Sequence, residues 1–198
     1  MRSCSRTSRA LFTASLLLLP ISAVRAQVTT FFAYLAQEGA LATPGTGTVF
    51  VTLDQTLNTM RVQASFSGLV GTTMASHIHC CTVTPLTGNA GVATQTPSFT
   101  GFPLGVTSGA FDNTFDMTLA SSYNPAFITA FGGTVPSAFA ALSAGMFAGR
   151  TYFNVHTSYA PGGEIRGYLQ AVPEPTTYAL MAAGLLALGV VARRRRPV

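Results

Sequence analysis

The chain has 198 residues, is 48% hydrophobic and only 9% charged, and carries a formal charge of +5. That charge does not indicate a nucleic-acid partner, because it sits at the ends: Arg2, Arg6, Arg9 and Arg25 near the start, and Arg193, Arg194, Arg195 and Arg196 at the finish. Between residues 27 and 172, Arg61, Arg150 and Arg166 stand against Glu38, Asp54, Asp112, Asp116 and Glu164, so this part is weakly acidic and has no basic patch.

Residues 1–26 place three arginines before the apolar run Ala10 to Leu19, then Pro20 and the small-residue end Val24-Arg25-Ala26. This order of basic, apolar and cleavable regions is that of a secretory signal peptide cut after Ala26. The remainder up to residue 171 is one domain of ordinary size, large enough to bury ~70% of its unfolded surface without a disulfide scaffold. It lacks lysine and is rich in Thr, Ser, Gly and Phe, which suits an extracellular β protein.

Val28 to Leu35 is the first expected strand. Thr48 to Leu53 and Met60 to Phe66 follow as a hairpin. Val49, Val51 and Leu53 alternate with Phe50 and Thr52, and Val62, Ala64 and Phe66 alternate with Gln63 and Ser65. A period of two puts one face of each strand in the core. Met74 to Cys81 is a further strand, on which His77, His79 and Cys81 would share a face. The Gly-, Pro- and Thr-rich stretch 82–108 is long for a structureless loop, so a functional role or packing on itself is expected. Phe111 to Leu119 alternates again, with Phe111, Phe115, Met117 and Leu119 on one face, as a core-facing strand. Asn124-Pro125 starts a short helix that Gly132-Gly133 ends, and a second helix over 136–146 lays Phe139, Leu142 and Met146 against the sheet. Thr151 to Thr157 and Gly163 to Leu169, joined through Pro161-Gly162, form the closing hairpin, with Glu164 and Arg166 on one face and able to pair. The fold class is thus mainly β: an antiparallel β-sandwich or barrel-like domain with one or two short helices.

The residues His77-Ile78-His79, Phe115-Asp116, the block around Asn154, His156 and Thr157, and the block Gly163-Glu164-Ile165-Arg166-Gly167 resemble a chordin-type (CHRD) domain. The resemblance spans nearly all of residues 28–170. It implies a compact, mainly β extracellular module in which Asn154, Thr157, Gly163, Glu164, Arg166 and Gly167 are structural.

His77, His79 and His156 could converge if their strands are neighbours. Three readings stay open at this point. The imidazoles can bond to backbone or to Glu164 and pin strand ends; they can bind copper or zinc, which suit neutral imidazole; or they can take part in catalysis. His-x-His with a distant histidine also resembles the copper half of Cu/Zn superoxide dismutase, which implies redox chemistry. No Ser-His-Asp spacing, carboxylate pair or phosphate loop stands out. Cys80 and Cys81 are expected to close a vicinal disulfide that stiffens the strand end, with free thiols, intermolecular bonds or a metal thiolate as competitors.

The segment 172–198 carries Pro173-Glu174-Pro175, the uncharged run 176–192 and the four arginines. Seventeen residues at 1.5 Å rise give a helix of about 25 Å, at the short end of the spanning range. The basic end favours the cytoplasmic side. The order of parts resembles the PEP-CTERM sorting signal of Gram-negative bacteria. The resemblance implies an inner-membrane-anchored intermediate, processing by an exosortase and delivery to the cell surface or extracellular matrix. Together these readings give a non-enzymatic surface or matrix module with no cofactor, binding polysaccharide or protein in a biofilm and no nucleic acid. The alternative is a periplasmic or surface copper or zinc redox protein.

Overall fold

A computed structural model describes residues 28–40, 42–173 and 175–194. The expected signal peptide, its cleavage point at Ala26, and Glu174 of the sorting motif lie outside these residues. The strands are β1 (Val28–Gln37), β2 (Thr46–Asp54), β3 (Thr59–Ser67), β4 (Thr73–Cys80), β5 (Gly109–Asp116), β6 (Thr151–Thr157), β7 (Ile165–Tyr168) and β8 (Gln170–Ala171). The helices are α1 (Pro125–Ala130), α2 (Val135–Phe147) and α3 (Pro175–Arg194). The strands pair antiparallel in the order β4-β6-β7-β1-β2-β3-β5, with β8 also on β1, as a half-barrel.

β1 belongs to both halves of this sheet. Its first eight residues pair with β2, while Ala36 and Gln37 pair with β7, and Phe31 and Phe32 with β8. The period-two expectation holds residue by residue for β2 and β3, where Val49, Val51, Leu53, Val62, Ala64 and Phe66 are all buried, and Phe31, Ala33 and Leu35 of β1 are buried in the same alternation. Each large side chain so buried contributes ~1.5–3 kcal/mol. The expected strand at 111–119 begins earlier and stops at Asp116, so Leu119 is exposed rather than facing the core.

The stretch 82–108 packs over the sheet. Phe99 stacks on Phe153 of β6 and packs on Phe111 and Phe115 of β5, tying the two ends of the strand order together. It also lines the free edge of β4. Cys80 N donates to Gly91 O, Ile78 O accepts from Ala93 N and Thr94 N, Ile78 N donates to Thr94 Oγ1, and Ser76 N to Ser98 Oγ.

α1 begins as its sequence dictates, with Asn124 Oδ1 accepting from Ala126 N at 3.0 Å and Pro125 in the first turn. α2 opens on a Thr134–Ser137 capping box. It packs inward through Ala138, Leu142, Gly145 and Met146, while Phe139 is displaced to the rim of the core. Gly145 is there because of β4: a Cβ at this position would lie 2.5 Å from the sulfur of Cys80 and 2.6 Å from that of Cys81.

α3 occupies the segment expected to span a membrane. Among the described residues no helix is long and apolar enough to cross one. Its uncharged stretch, about 25 Å, falls short of a ~30 Å hydrocarbon core.

Candidate functional site

One face of β4, β6 and β7 is polar although it is covered. Alternation along β4 turns His77 and His79 to this face, and alternation along β6 turns Tyr152, Asn154 and His156 to it. The register sets His77 opposite Asn154, His79 opposite Tyr152, and His156 opposite the small Ala75. The three imidazoles meet with ring centroids 5.1, 5.7 and 5.9 Å apart. The reading that left their convergence to strand adjacency is answered here: β4 and β6 are neighbours.

Each ring is oriented by one backbone carbonyl. His77 Nε2 bonds to Pro97 O at 2.7 Å, His79 Nδ1 to Ala90 O at 2.9 Å, and His156 Nδ1 to Pro161 O at 2.9 Å. A carbonyl oxygen only accepts, so these nitrogens carry the protons. The remaining nitrogens, Nδ1 of His77 and Nε2 of His79 and His156, are buried and have no hydrogen-bond partner. One ring nitrogen of each histidine lies within 4.8 Å of those of the other two. Glu164, considered above as a partner for these rings, bonds none of them.

His77 and His79 are held neutral. Burial lowers each to about 4, against which the carbonyl bonds to Pro97 and Ala90 act only partly, and the neighbouring His156 lowers both further. Tyr152 stacks on His79, with rings 4.7 Å apart and 7° from parallel, and its hydroxyl donates to the same Ala90 carbonyl. Arg166 lies over Tyr152, forms an ion pair with Glu38 at 3.2 Å and donates to Asn89 Oδ1 at 2.7 Å.

The expected pairing of Glu164 with Arg166 does not occur. β7 begins only at Ile165, so the alternation that sets Arg166 opposite Asn154 on the polar face does not extend back to Glu164, whose side chain turns to the interior. Glu164 is fully buried and accepts from Thr43 Oγ1 (2.6 Å), Val70 N (2.7 Å), Gly71 N (3.1 Å) and Thr157 Oγ1 (2.6 Å). A Cβ on Gly163 would collide with Glu38 and Asn154, and one on Gly167 with the Tyr34 carbonyl. Asn154 donates to Gly162 O at 3.3 Å. The block Asn154, Thr157, Gly163, Glu164, Arg166 and Gly167 thus locks the closing hairpin to the segment 43–71 and to the end of β1.

Cys81 does not join the histidines. β4 ends at Cys80, the peptide to Cys81 is cis, and the two sulfurs are bonded to each other, with Cys81 Sγ directed to Ala141 O of α2 at 3.8 Å. Among the described residues, no serine, cysteine or carboxylate hydrogen-bonds any of the three imidazoles, so none of them is poised as the base of a nucleophile pair. A cavity of about 660 Å³ lies elsewhere, lined by Thr29, Phe139, Ser143 and Phe147 among others.

The sequence signalled His77 and His79 by their spacing. It did not signal Tyr152, the Glu38–Arg166 pair or the orienting carbonyls, which come together only through the β4–β6–β7 register and the path of the 82–108 stretch. Compared with known families, the chain matches the model of the CHRD domain over residues 31–169 and that of the PEP-CTERM protein-sorting motif over residues 171–196. No curated protein and no solved structure matches it.

Proposed function

The chain belongs to the CHRD-domain family, and from that premise we propose that it is an exported, non-enzymatic module of the bacterial cell surface or extracellular matrix, sorted by an exosortase. The observation that carries this reading is the sorting motif at 171–196, which follows the domain end at 169 with no intervening linker. The reading includes a membrane-held intermediate before processing, in which α3, though shorter than a full bilayer span, is covered by lipid. Leu180, Leu185, Leu186 and Leu188 are exposed, and such a row of apolar side chains needs lipid or protein to cover it. Arg193 and Arg194 on its last turn favour the cytoplasmic side. Expression of the full chain in a host with an exosortase, and in the same host without it, tests the reading by fractionation and sequencing of both termini. The expected product begins at Gln27, lacks the arginine tail and is found at the surface, while the host without exosortase retains the tail. Recovery in the cytoplasm from Met1 to Val198 would sink the proposal.

The role on the surface is contact with a neutral polysaccharide through the outer face of β1, β2, β3 and β5. There Phe32 sits opposite Phe50, Phe50 opposite Gln63, and Tyr34 opposite Thr48. The rings of Phe32, Tyr34 and Phe50 pack within 4.7–4.8 Å, and Tyr34 is 76% exposed. Thr48 and Ser65 hydroxyls flank them, and Arg61 is neutralised by Asp112 at 2.5 Å, so the face offers apolar rings among uncharged hydrogen-bonding groups. Tyr34→Ala and Phe50→Ala are each expected to weaken retention of the purified chain on the host's neutral matrix polysaccharide about tenfold, the equivalent of ~1.4 kcal/mol. Unchanged retention, or self-association that these substitutions abolish, would contradict this role.

A further inference from the structure

We propose that His77, His79 and His156 form a mononuclear site for a zinc or copper ion, bound through Nδ1 of His77 and Nε2 of His79 and His156. The inference goes beyond the surface role and does not rest on it. It starts from a hydrogen-bond count. The three inward nitrogens are lone-pair acceptors, because each ring spends its N–H on a carbonyl. Three acceptors cannot satisfy one another. A water among them has two hydrogens and would leave one nitrogen unpaired. A cation has no such limit and satisfies all three together.

The surroundings fit a coordinated ion. His77 is 6% exposed and His79 7%, so their free nitrogens do not find bulk water. One nitrogen from each ring lies within 4.8 Å of those of the other two. The centre of an equilateral triangle of that side is about 2.8 Å from each corner, and zinc–imidazole bonds are ~2.0–2.1 Å, so ring rotations of under ~1 Å close the site. Each ligand is already fixed by a carbonyl on its far nitrogen, the arrangement that selects the tautomer and aims the lone pair in metal sites. Two ligands sit on β4 and one on β6, where the ladder holds their spacing.

The donor set selects the ion. Imidazole suits zinc and copper, whereas calcium and magnesium require oxygen ligands, and the cluster contributes none. The nearby cation, Arg166, is paired with Glu38, which lessens its opposition to a bound ion. Three protein ligands leave a further coordination position for water or a small anion.

The test uses the untagged full chain, stripped with a chelator and titrated with zinc sulfate and, separately, copper sulfate by calorimetry, followed by X-ray absorption of the loaded protein. One saturable ion per chain with three imidazole ligands is expected. His156→Ala and His77→Gln should each weaken binding by at least about a hundredfold. His156→Ala also loses the bond to Pro161 O, so the metal-free melting curves of the variants are recorded beside the parent's and binding is compared at a temperature where each is folded. The proposal is overturned by the absence of saturable binding to a folded parent chain. It is equally overturned by affinity that survives both substitutions, or by a spectrum with sulfur or fewer than three imidazoles. The spectrum of the parent decides the matter on its own if a variant fails to fold.

Discussion

Glu164→Leu is expected to cost about 3–6 kcal/mol, since removing the carboxylate strands the buried donors Gly71 N and Thr157 Oγ1 at ~1–3 kcal/mol each and the half-buried Val70 N and Thr43 Oγ1 at less, a large share of a domain's whole stability of ~5–15 kcal/mol. Glu164→Gln is the sharper test, because it keeps size and shape. Oε1 accepts from Val70 N and Thr43 Oγ1, and Oε2 from Gly71 N and Thr157 Oγ1. Whichever way the amide faces, its NH₂ meets one backbone N–H that cannot rotate away. A loss of about 2–4 kcal/mol in urea unfolding is expected. A Glu164→Gln protein within about 1 kcal/mol of the parent would show that the carboxylate does not hold the closing hairpin to 43–71.

The metal-free protein should lose stability between neutral pH and pH 4. His77 and His79 are lowered from 6.5 to about 4 in the fold, so in this window the unfolded chain binds protons that the folded chain does not. Unfolding is therefore favoured as pH falls. The contribution is full above the unfolded value and is lost on the way down to the folded one. At 1.36 kcal/mol per pKa unit each histidine would contribute up to about 3 kcal/mol, and solvent screening at the rim reduces the sum for the pair to about 3–4 kcal/mol. The groups that face the pair are His156, Tyr152, Arg166 with its partner Glu38, and the carbonyls of Ala90 and Pro97. Below this window Glu164 adds a second loss. Burial alone would raise its carboxyl, but the bonds from Thr157, Thr43, Val70 and Gly71 outweigh that and hold it below the usual carboxylate value. Urea midpoints measured in chelator from pH 7.5 to 4.5 check the first loss, and a flat profile would refute a buried neutral pair.

The strands and helix starts were legible because their causes are local. Val49, Val51 and Leu53 declare a face by alternation, and Asn124-Pro125 declares a cap by chemistry. The site was half legible. His77 and His79 share a face on any strand, but His156 joins them only because β6 returns beside β4 with Ala75 opposite it, a non-local register that spacing does not encode. The same limit explains Glu164. A period of two set it beside Arg166, but β7 starts at Ile165 and the alternation does not reach back to Glu164. Cys81 was misplaced for a similar reason: the face assignment ran one residue past the end of β4.

The path of residues 91–98 along β4 has a consequence wherever copies of the chain are concentrated. An outermost strand with open amides and carbonyls is a template on which another chain can add, and neighbouring copies held at high density would exploit it. Here Gly91, Ala93, Thr94 and Ser98 already occupy hydrogen-bonding positions along Ser76, Ile78 and Cys80. The stretch that supplies carbonyls to the histidines thereby also guards the sheet against end-to-end polymerisation.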